Sequence, residues 1–402
     1  MQPKLTAQFF INNRQALRAK LADKLPIIIT GNGLMQRTAD NTFPFVQDSN
    51  FWYLTGLDTP DALLVIGASE EYIIIPGRSA SRQAFDGAND PDGVARRSGV
   101  NTILSEVDGW QNINKLISET KQASYLKPVS VYELRHGFYA NPARRRVADK
   151  LRRLQSNLTL HDIRTELASL RCIKQPIEIA CIEAAVRTTK ETLAEITNSA
   201  DFTAMRYEYE LEAAITSGFR KRGATGHAYN PIVASGSNAT TLHYDHNDAP
   251  INSTDYIVVD VGAEVEHYAA DITRTLIQGN PSARQQAVFD AVTRLQEQAM
   301  AMVKPGVLMQ EYEQRFEHVM MIELTELGLI SHANDRKGMR RYYPHATSHF
   351  LGLDVHDVGD YSQPLAEGMV LTCEPGIYIP EEGIGVRIED DIVITNNGIR
   401  LL

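Results

Sequence analysis

Four acidic residues sit inside otherwise apolar, strand-forming runs of this chain: Asp260 in IVVDVG, Asp271 in YAADIT, Glu374 at the end of VLTCEPG and Glu389 in VRIEDDIVI. A buried strand seldom carries a bare carboxylate, because an unpaired charge out of water costs many kcal/mol and protonates instead. The fold must therefore leave these residues on exposed strand edges or supply them with a cation. If residues 256–277 form a hairpin turning near Val265 and Glu266, Asp260 and Asp271 are equidistant from the turn and stand directly opposite each other. Like charges so opposed repel, and a metal between them relieves the repulsion. A carboxylate-rich set without thiolates favours Mn, Mg or Ca, or Zn and Co in mixed-ligand sites. Four carboxylates exceed what one catalytic ion needs, which points to a two-metal centre with bridging carboxylates and a bridging hydroxide.

The histidines cluster near these runs. Of 11, His243 and His246 lie in HYDH, and His345, His349 and His356 in HATSHFLGLDVHD. A single histidine is often structural, but two clusters beside a carboxylate set suggest a neutral ligand nitrogen or a proton shuttle. His345 and His349 have the spacing of a zinc-binding helix, yet no Glu follows His345, and Pro344 and Gly352 disfavour a long helix. A loop or strand is expected there. Arg387 stands two residues before Glu389, on the same strand face, where it either orients that carboxylate or forms a plain ion pair. Cys373 should face away from Glu374. The Gly31-Asn-Gly33 turn lacks a phosphate-loop context, and no G-x-S-x-G nucleophile motif occurs.

Around this chemistry the chain reads as α/β followed by α+β. Apolar runs at 25–30, 62–68, 71–76 and 129–134, with a helical stretch at 113–118, predict an α/β domain with a partly parallel sheet. The basic segment at 141–154 is amphipathic, and its Arg144–Arg146 run is either a solvated helix face or an anion site. Helices are expected at 176–199, 205–222, 282–303 and 310–328, and strands at 256–264, 269–277, 368–379 and 385–395. Two helices, a strand pair, two helices and another strand pair look like a duplicated half. The expected domains are 1–165 and 166–402.

Forty Lys and Arg against 50 Asp and Glu give a net charge of -10, which supplies no field for nucleic acid or an anionic membrane surface. No run of eighteen apolar residues occurs, and the N-terminus has no secretory pattern. Cys172, Cys181 and Cys373 are too few and scattered for a disulfide framework or a thiolate zinc cage. A cytoplasmic protein without a membrane or nucleic-acid partner is expected.

The runs HYDHN (243–247), VVDVGAE (258–264), YAADITRT (268–275), SHFLGLDVHDVG (348–359), MVLTCEPGIY (369–378) and GVRIEDDIVIT (385–395) resemble the Xaa-Pro aminopeptidase and prolidase branch of the pita-bread metallopeptidases. The N-terminal half resembles it too, through FPFVQDSNFWYLTGLDTPDALLVIG (43–67) and LRCIKQPIEIACIEAA (170–185). The resemblance implies a creatinase-like N-terminal α/β domain and a pita-bread catalytic domain. It also implies two divalent metal ions per chain, commonly Mn2+, with Zn2+ or Co2+ as alternatives. The family's metal ligands fall on Asp260, Asp271, His349, Glu374 and Glu389. Its assisting positions fall on His243, His356 and Arg387, with Glu374 relaying a proton, and its substrate-lining positions on His345 and Tyr229. The implied reaction is hydrolysis of the bond between an N-terminal residue and a following proline, by attack of a metal-bridging hydroxide; prolidase is the rival, and a metal-free binding module a more distant one. The implied assembly is a homodimer or homotetramer, in which Phe85 is the candidate for an aromatic side chain presented to a neighbouring active site. The run between Tyr378 and Arg387 is shorter than in many members, which bears on the substrate mouth.

Overall fold

The computed structural model describes residues 2–129 and 131–402. The chain divides into two compact units, Leu5–Leu170 and Arg171–Leu402, the latter joined by the first few residues.

The first unit is built on a six-stranded sheet ordered Ile103–Leu104, Glu71–Ile74, Leu63–Ile66, Ile27–Thr30, Gln122–Tyr125, Thr159–Asp162. Leu63–Ile66 runs antiparallel to both neighbours and the remaining pairs are parallel, so the partly parallel α/β reading holds. Alternate residues Leu63, Val65, Tyr72 and Ile74 pack with Ile113 and Ile117 of helix Glu106–Thr120 and with Val147 and Leu151 of helix Ala143–Leu154. The intervening Leu64, Ile66 and Ile73 are equally buried, as a sheet covered on both faces requires. Arg144 is half-buried and binds Asp48, which also caps helix Ser49–Thr55, so at least this arginine is not a solvated face. Phe85, in helix Ala80–Asp86, is 84% exposed.

One strand expectation fails. The run at 129–134 is helical over Val131–His136, residue 130 lying outside the described residues. The sheet position is taken instead by Gln122–Tyr125, which lacks a long apolar run. Helix Glu106–Thr120 ends at Lys121 in a left-handed conformation (φ 57°), which turns the chain straight into the sheet. Position in the fold overrides strand propensity here.

In the second unit, helices Ala283–Met302 and Met309–Glu326 bury Val288, Ala291, Val292, Leu295, Tyr312, Phe316 and Met320, at the spacing of one helical face. They share a core with Leu371, Cys373, Ile377, Ile379, Ile384, Val386, Ile392 and Ile394 from four strands: Val370–Cys373, Gly376–Ile379, Ile384–Arg387 and Asp390–Thr395. Because side chains alternate along a strand, Thr372, Tyr378, Arg387 and Asp391 are turned from that apolar layer. Glu374 and Glu389 lie at the breaks between strands, on the same side. Helices Pro176–Thr197 and Glu208–Lys221 accompany a three-stranded sheet of Ile232–Ser235, Ile257–Val261 and Ile272–Leu276. The expected repeated order of helix pair and strand pair is thus present.

The hairpin register differs from expectation. It turns one residue later, at Glu266 and His267 (φ 50° and 63°), so Asp260 pairs with Thr273, not with Asp271. The offset preserves alternation, and both carboxylates still project to one side. At Gly262 a Cβ would lie 1.7 Å from the Ala270 carbonyl oxygen, so only glycine permits the close approach that places Asp271.

A buried ionic cluster fixes the loop that precedes Asp357. Arg171 donates to Asp357 at 2.5 Å and to Asp354 at 2.8 Å, and Lys174 donates to Asp357 at 3.0 Å. Burial pushes the Asp357 carboxyl upward, but the two cations hold it below its ordinary value. We expect Asp357→Ala to destabilise this unit by about 3–5 kcal/mol, the cost of leaving buried cations unpaired. A fall in the urea midpoint corresponding to less than about 1 kcal/mol would contradict this account.

Candidate metal centre and active site

The side chains turned from the apolar layer converge with those of the hairpin. Asp271, His349 and Glu389 each present a ligand atom, all within 4.8 Å of one another. His349 Nε2 lies 3.4 Å from Asp271 Oδ2 and 3.4 Å from Glu374 Oε1. Its Nδ1 is 3.0 Å from the Phe350 carbonyl, an arrangement that in neutral imidazole puts the proton on Nδ1 and leaves the Nε2 lone pair facing the carboxylates. As expected, residues 344–352 form no helix.

Asp260 joins through Tyr229, whose hydroxyl is 2.5 Å from Asp260 Oδ1 and 2.6 Å from Asp271 Oδ1. One phenolic proton cannot serve two carboxylates. Arg387 Nη2 donates to Asp260 Oδ2 at 2.5 Å, whereas its nearest approach to Glu389 is 3.9 Å. The arginine thus grips Asp260 more closely than the strand neighbour that spacing suggested. It also donates to Thr273 Oγ1 (3.1 Å) and Tyr378 Oη (3.0 Å).

Glu389 is 1% exposed, and its Oε1 has no hydrogen-bond partner among the described residues; its Oε2 accepts from Thr273 at 2.6 Å. Asp391, fully buried, accepts from the Asp271 amide through Oδ2, and its Oδ1 is likewise unpartnered among the described residues. Buried carboxylate oxygens left without partners beside a free imidazole lone pair fit a divalent cation.

The electrostatics of the protein groups alone agree. Burial, then the charges of Asp271, Glu374 and Asp260, push Glu389 well above the ordinary carboxylate range. Burial raises Asp260 against the opposing Arg387. Glu374 is pushed up to about 7 by burial, although His349 opposes the shift. His349 reaches about 9 because Asp271 and Glu374 outweigh its burial. A bound cation reverses this trend by favouring every anionic form.

The remaining expected residues line the surroundings. His345 is buried, with Nε2 2.9 Å from Tyr378 Oη and Nδ1 3.7 Å from Glu374 Oε2; burial and then Arg387 lower it to about 3. The His356 ring lies 4.3 Å from that of His349 and is lowered mainly by burial. His243 and His356 line a cavity of about 440 Å³ together with Tyr229, Asp260 and Asp271. His246 packs its ring against Tyr244 instead. Cys172, Cys181 and Cys373 are free and buried.

Four supporting residues escaped the sequence reading: Thr273, Thr372, Tyr378 and Asp391. Thr372 Oγ1 accepts from the His349 amide at 3.1 Å and donates to Glu374 at 3.3 Å. Strand alternation from Glu374 and Glu389 would have pointed to Thr372 and Asp391. The same alternation from Asp271 points to Thr273.

The two raised groups give a pH prediction for metal-free protein. Glu374 (about 7, against 4.5) and His349 (about 9, against 6.5) both hold a proton more tightly when folded, so their contributions fade as pH rises through those values. His345 acts in the opposite direction, but below its ordinary 6.5. After chelation, Tm should therefore fall between pH 6.5 and pH 9, and added Mn2+ should restore it because ligands bind deprotonated. A calorimetric Tm that rose over this interval in chelated protein would contradict the assignment.

Comparison with known proteins matches residues 180–396 to metallopeptidase family M24 and residues 10–125 to the aminopeptidase P N-terminal domain. An Xaa-Pro aminopeptidase of Haemophilus influenzae is 33% identical, with 99% of this chain and 94% of the relative covered. A putative aminopeptidase P from Bacillus anthracis superposes with a TM-score of 0.89 at 31% identity, covering 99% of this chain and 94% of that one. A zinc-substituted Escherichia coli aminopeptidase P in complex with product gives 0.85 at 29%, covering 99% and 95%. The fold is therefore that of an aminopeptidase P-type N-terminal α/β domain followed by a pita-bread catalytic domain, and the chain belongs to metallopeptidase family M24.

Proposed function

We propose that this chain is a metal-dependent Xaa-Pro aminopeptidase that removes the first residue from peptides with proline in second position. The observation that carries the reading is the co-occurrence, on one chain, of an aminopeptidase P N-terminal domain and an M24 domain that gathers Asp271, His349 and Glu389. Asp260, Asp271, His349, Glu374 and Glu389 would hold two divalent ions, Mn2+ favoured by the carboxylate-rich donors and Zn2+ or Co2+ the alternatives. Bound metal supplies Lewis-acid polarisation and a water acidic enough to ionise near neutral pH.

The chain's own residues do the rest. Glu374, with Oε2 facing His345, takes a proton and returns it to the leaving proline nitrogen. His243 and His356, on the cavity wall, donate to the oxygen that becomes negative in the tetrahedral state. Arg387 and Tyr229 hold Asp260 in place, and Tyr229 lines the substrate cavity. His345 and Tyr378 form the edge of a pocket for the proline ring. No helix among the described residues is long and apolar enough to cross a membrane; a cytoplasmic homodimer or homotetramer, with Phe85 available to a neighbouring subunit, completes the proposal.

Substrate length separates this reading from prolidase. A dipeptidase must receive the carboxylate of proline with positive groups, since a buried carboxylate left unpaired costs several kcal/mol. Among the described residues, no lysine or arginine lines the cavity. Arg387 is engaged by Asp260, and Arg340 by Glu317 and the His345 carbonyl. Xaa-Pro-Xaa tripeptides should therefore be cleaved with higher kcat/KM than Xaa-Pro dipeptides. A tenfold dipeptide preference, about 1.4 kcal/mol in transition-state binding, would make the protein a prolidase.

The His356 role is checked separately. His356→Ala should retain metal and lose about 10²–10³ in kcat, the range for one transition-state donor. A kcat within about twofold of the parent would remove His356 from the mechanism.

A further inference from the structure

The loop His243–Asn247 forms part of the cavity wall, and its residues divide between two tasks. The Tyr244 hydroxyl donates to Glu208 at 2.8 Å and lies 3.3 Å from Asp248 Oδ1. Asn247, 2% exposed and left-handed (φ 49°), donates to the Pro231 carbonyl at 2.9 Å and to Glu212 at 3.0 Å, and accepts from the Val233 amide at 2.8 Å. The Ala249 amide donates to Glu208 at 3.0 Å, and Glu208 itself is fully buried. These bonds fix the chain on both sides of Asp245. His243 and Asp245, two residues apart, line the cavity.

Three carboxylates line that cavity. Asp260 is bound to Arg387 and Tyr229, and Asp271 to Tyr229 within the ligand cluster. Asp245 has no ion pair or hydrogen bond among the described residues, and no lysine or arginine shares the wall with it. It is an exposed carboxylate on a loop pinned on both sides, lining a space that would receive the N-terminal end of a peptide.

We infer that Asp245 selects substrates whose first residue carries a cationic side chain, arginine or lysine; the inference rests on the aminopeptidase reading above. The α-amino group is common to every substrate and distinguishes none. A carboxylate at the wall adds attraction that depends on the side chain, through charge at a partly solvated distance. Such a pair alters binding several-fold, not by orders of magnitude, and is weakened by salt.

The test is steady-state cleavage of Arg-Pro-Ala, Met-Pro-Ala and Glu-Pro-Ala by the metal-loaded enzyme. The parent should favour Arg over Met by about fivefold in kcat/KM, through KM, with Glu lowest and the ratio shrinking at high salt. Asp245→Asn should bring the Arg/Met ratio to within about twofold of unity, and Asp245→Lys should place Glu above Arg. An equal loss on all three peptides would put Asp245 at the α-amino group and overturn the proposal, as would an unchanged ratio in both variants. A parent inert on every Xaa-Pro peptide would overturn the aminopeptidase reading itself and this proposal with it.

Discussion

Mutual repulsion among carboxylates held out of water is the constraint around which the catalytic unit is organised. Asp260, Asp271, Glu374 and Glu389 lie close enough to disfavour one another's ionisation, and among the described residues the cationic groups that meet their side chains are the Arg387 guanidinium and, when protonated, the His349 imidazole. Hydrogen bonds from Thr273, Thr372, Tyr229 and the Asp271 amide orient the acidic groups without neutralising them. The residual charge is what a divalent cation removes. A structure that arranges donors so carefully around an incomplete neutralisation is organised for metal.

The sheets solve the placement problem by alternation. One face of the strands at 370–395 meets two helices and is wholly apolar, and the other carries the polar set. A single residue of slip in any strand would exchange the faces, burying Glu or Asp against Leu295 and Phe316. The apolar helices thus fix the register on which the ligand geometry depends.

That dependence explains which parts of the molecule could be read from the sequence. The ligand candidates were legible because acidic residues in apolar runs contradict strand burial, and the helices because Val288 to Leu295 and Tyr312 to Met320 repeat on one face. The hairpin turn was misplaced by one residue because Glu266 and His267 adopt left-handed conformations without a glycine to signal them. Gln122–Tyr125 escaped because its place in the sheet follows from the end of the preceding helix, not from its own side chains. Arg387 was assigned to its near neighbour because its real partner, Asp260, is 127 residues away. Contacts made across the fold leave no local trace.

The same distinction applies to the precision of the site. His356 is held on a loop that ends in Asp357, whose carboxylate is bound by Arg171 and Lys174. A second buried ionic system, one that the protein does neutralise internally, therefore sets the position of an imidazole belonging to the first. The two systems differ in what completes them. Arg171 and Lys174 balance Asp357 and Asp354, so this cluster is neutralised without metal, whereas at the ligand cluster the acids outnumber the cations and a bound metal would complete the balance. Internally neutralised support beside an incomplete centre keeps the His356 imidazole next to a site whose charge would change with occupancy.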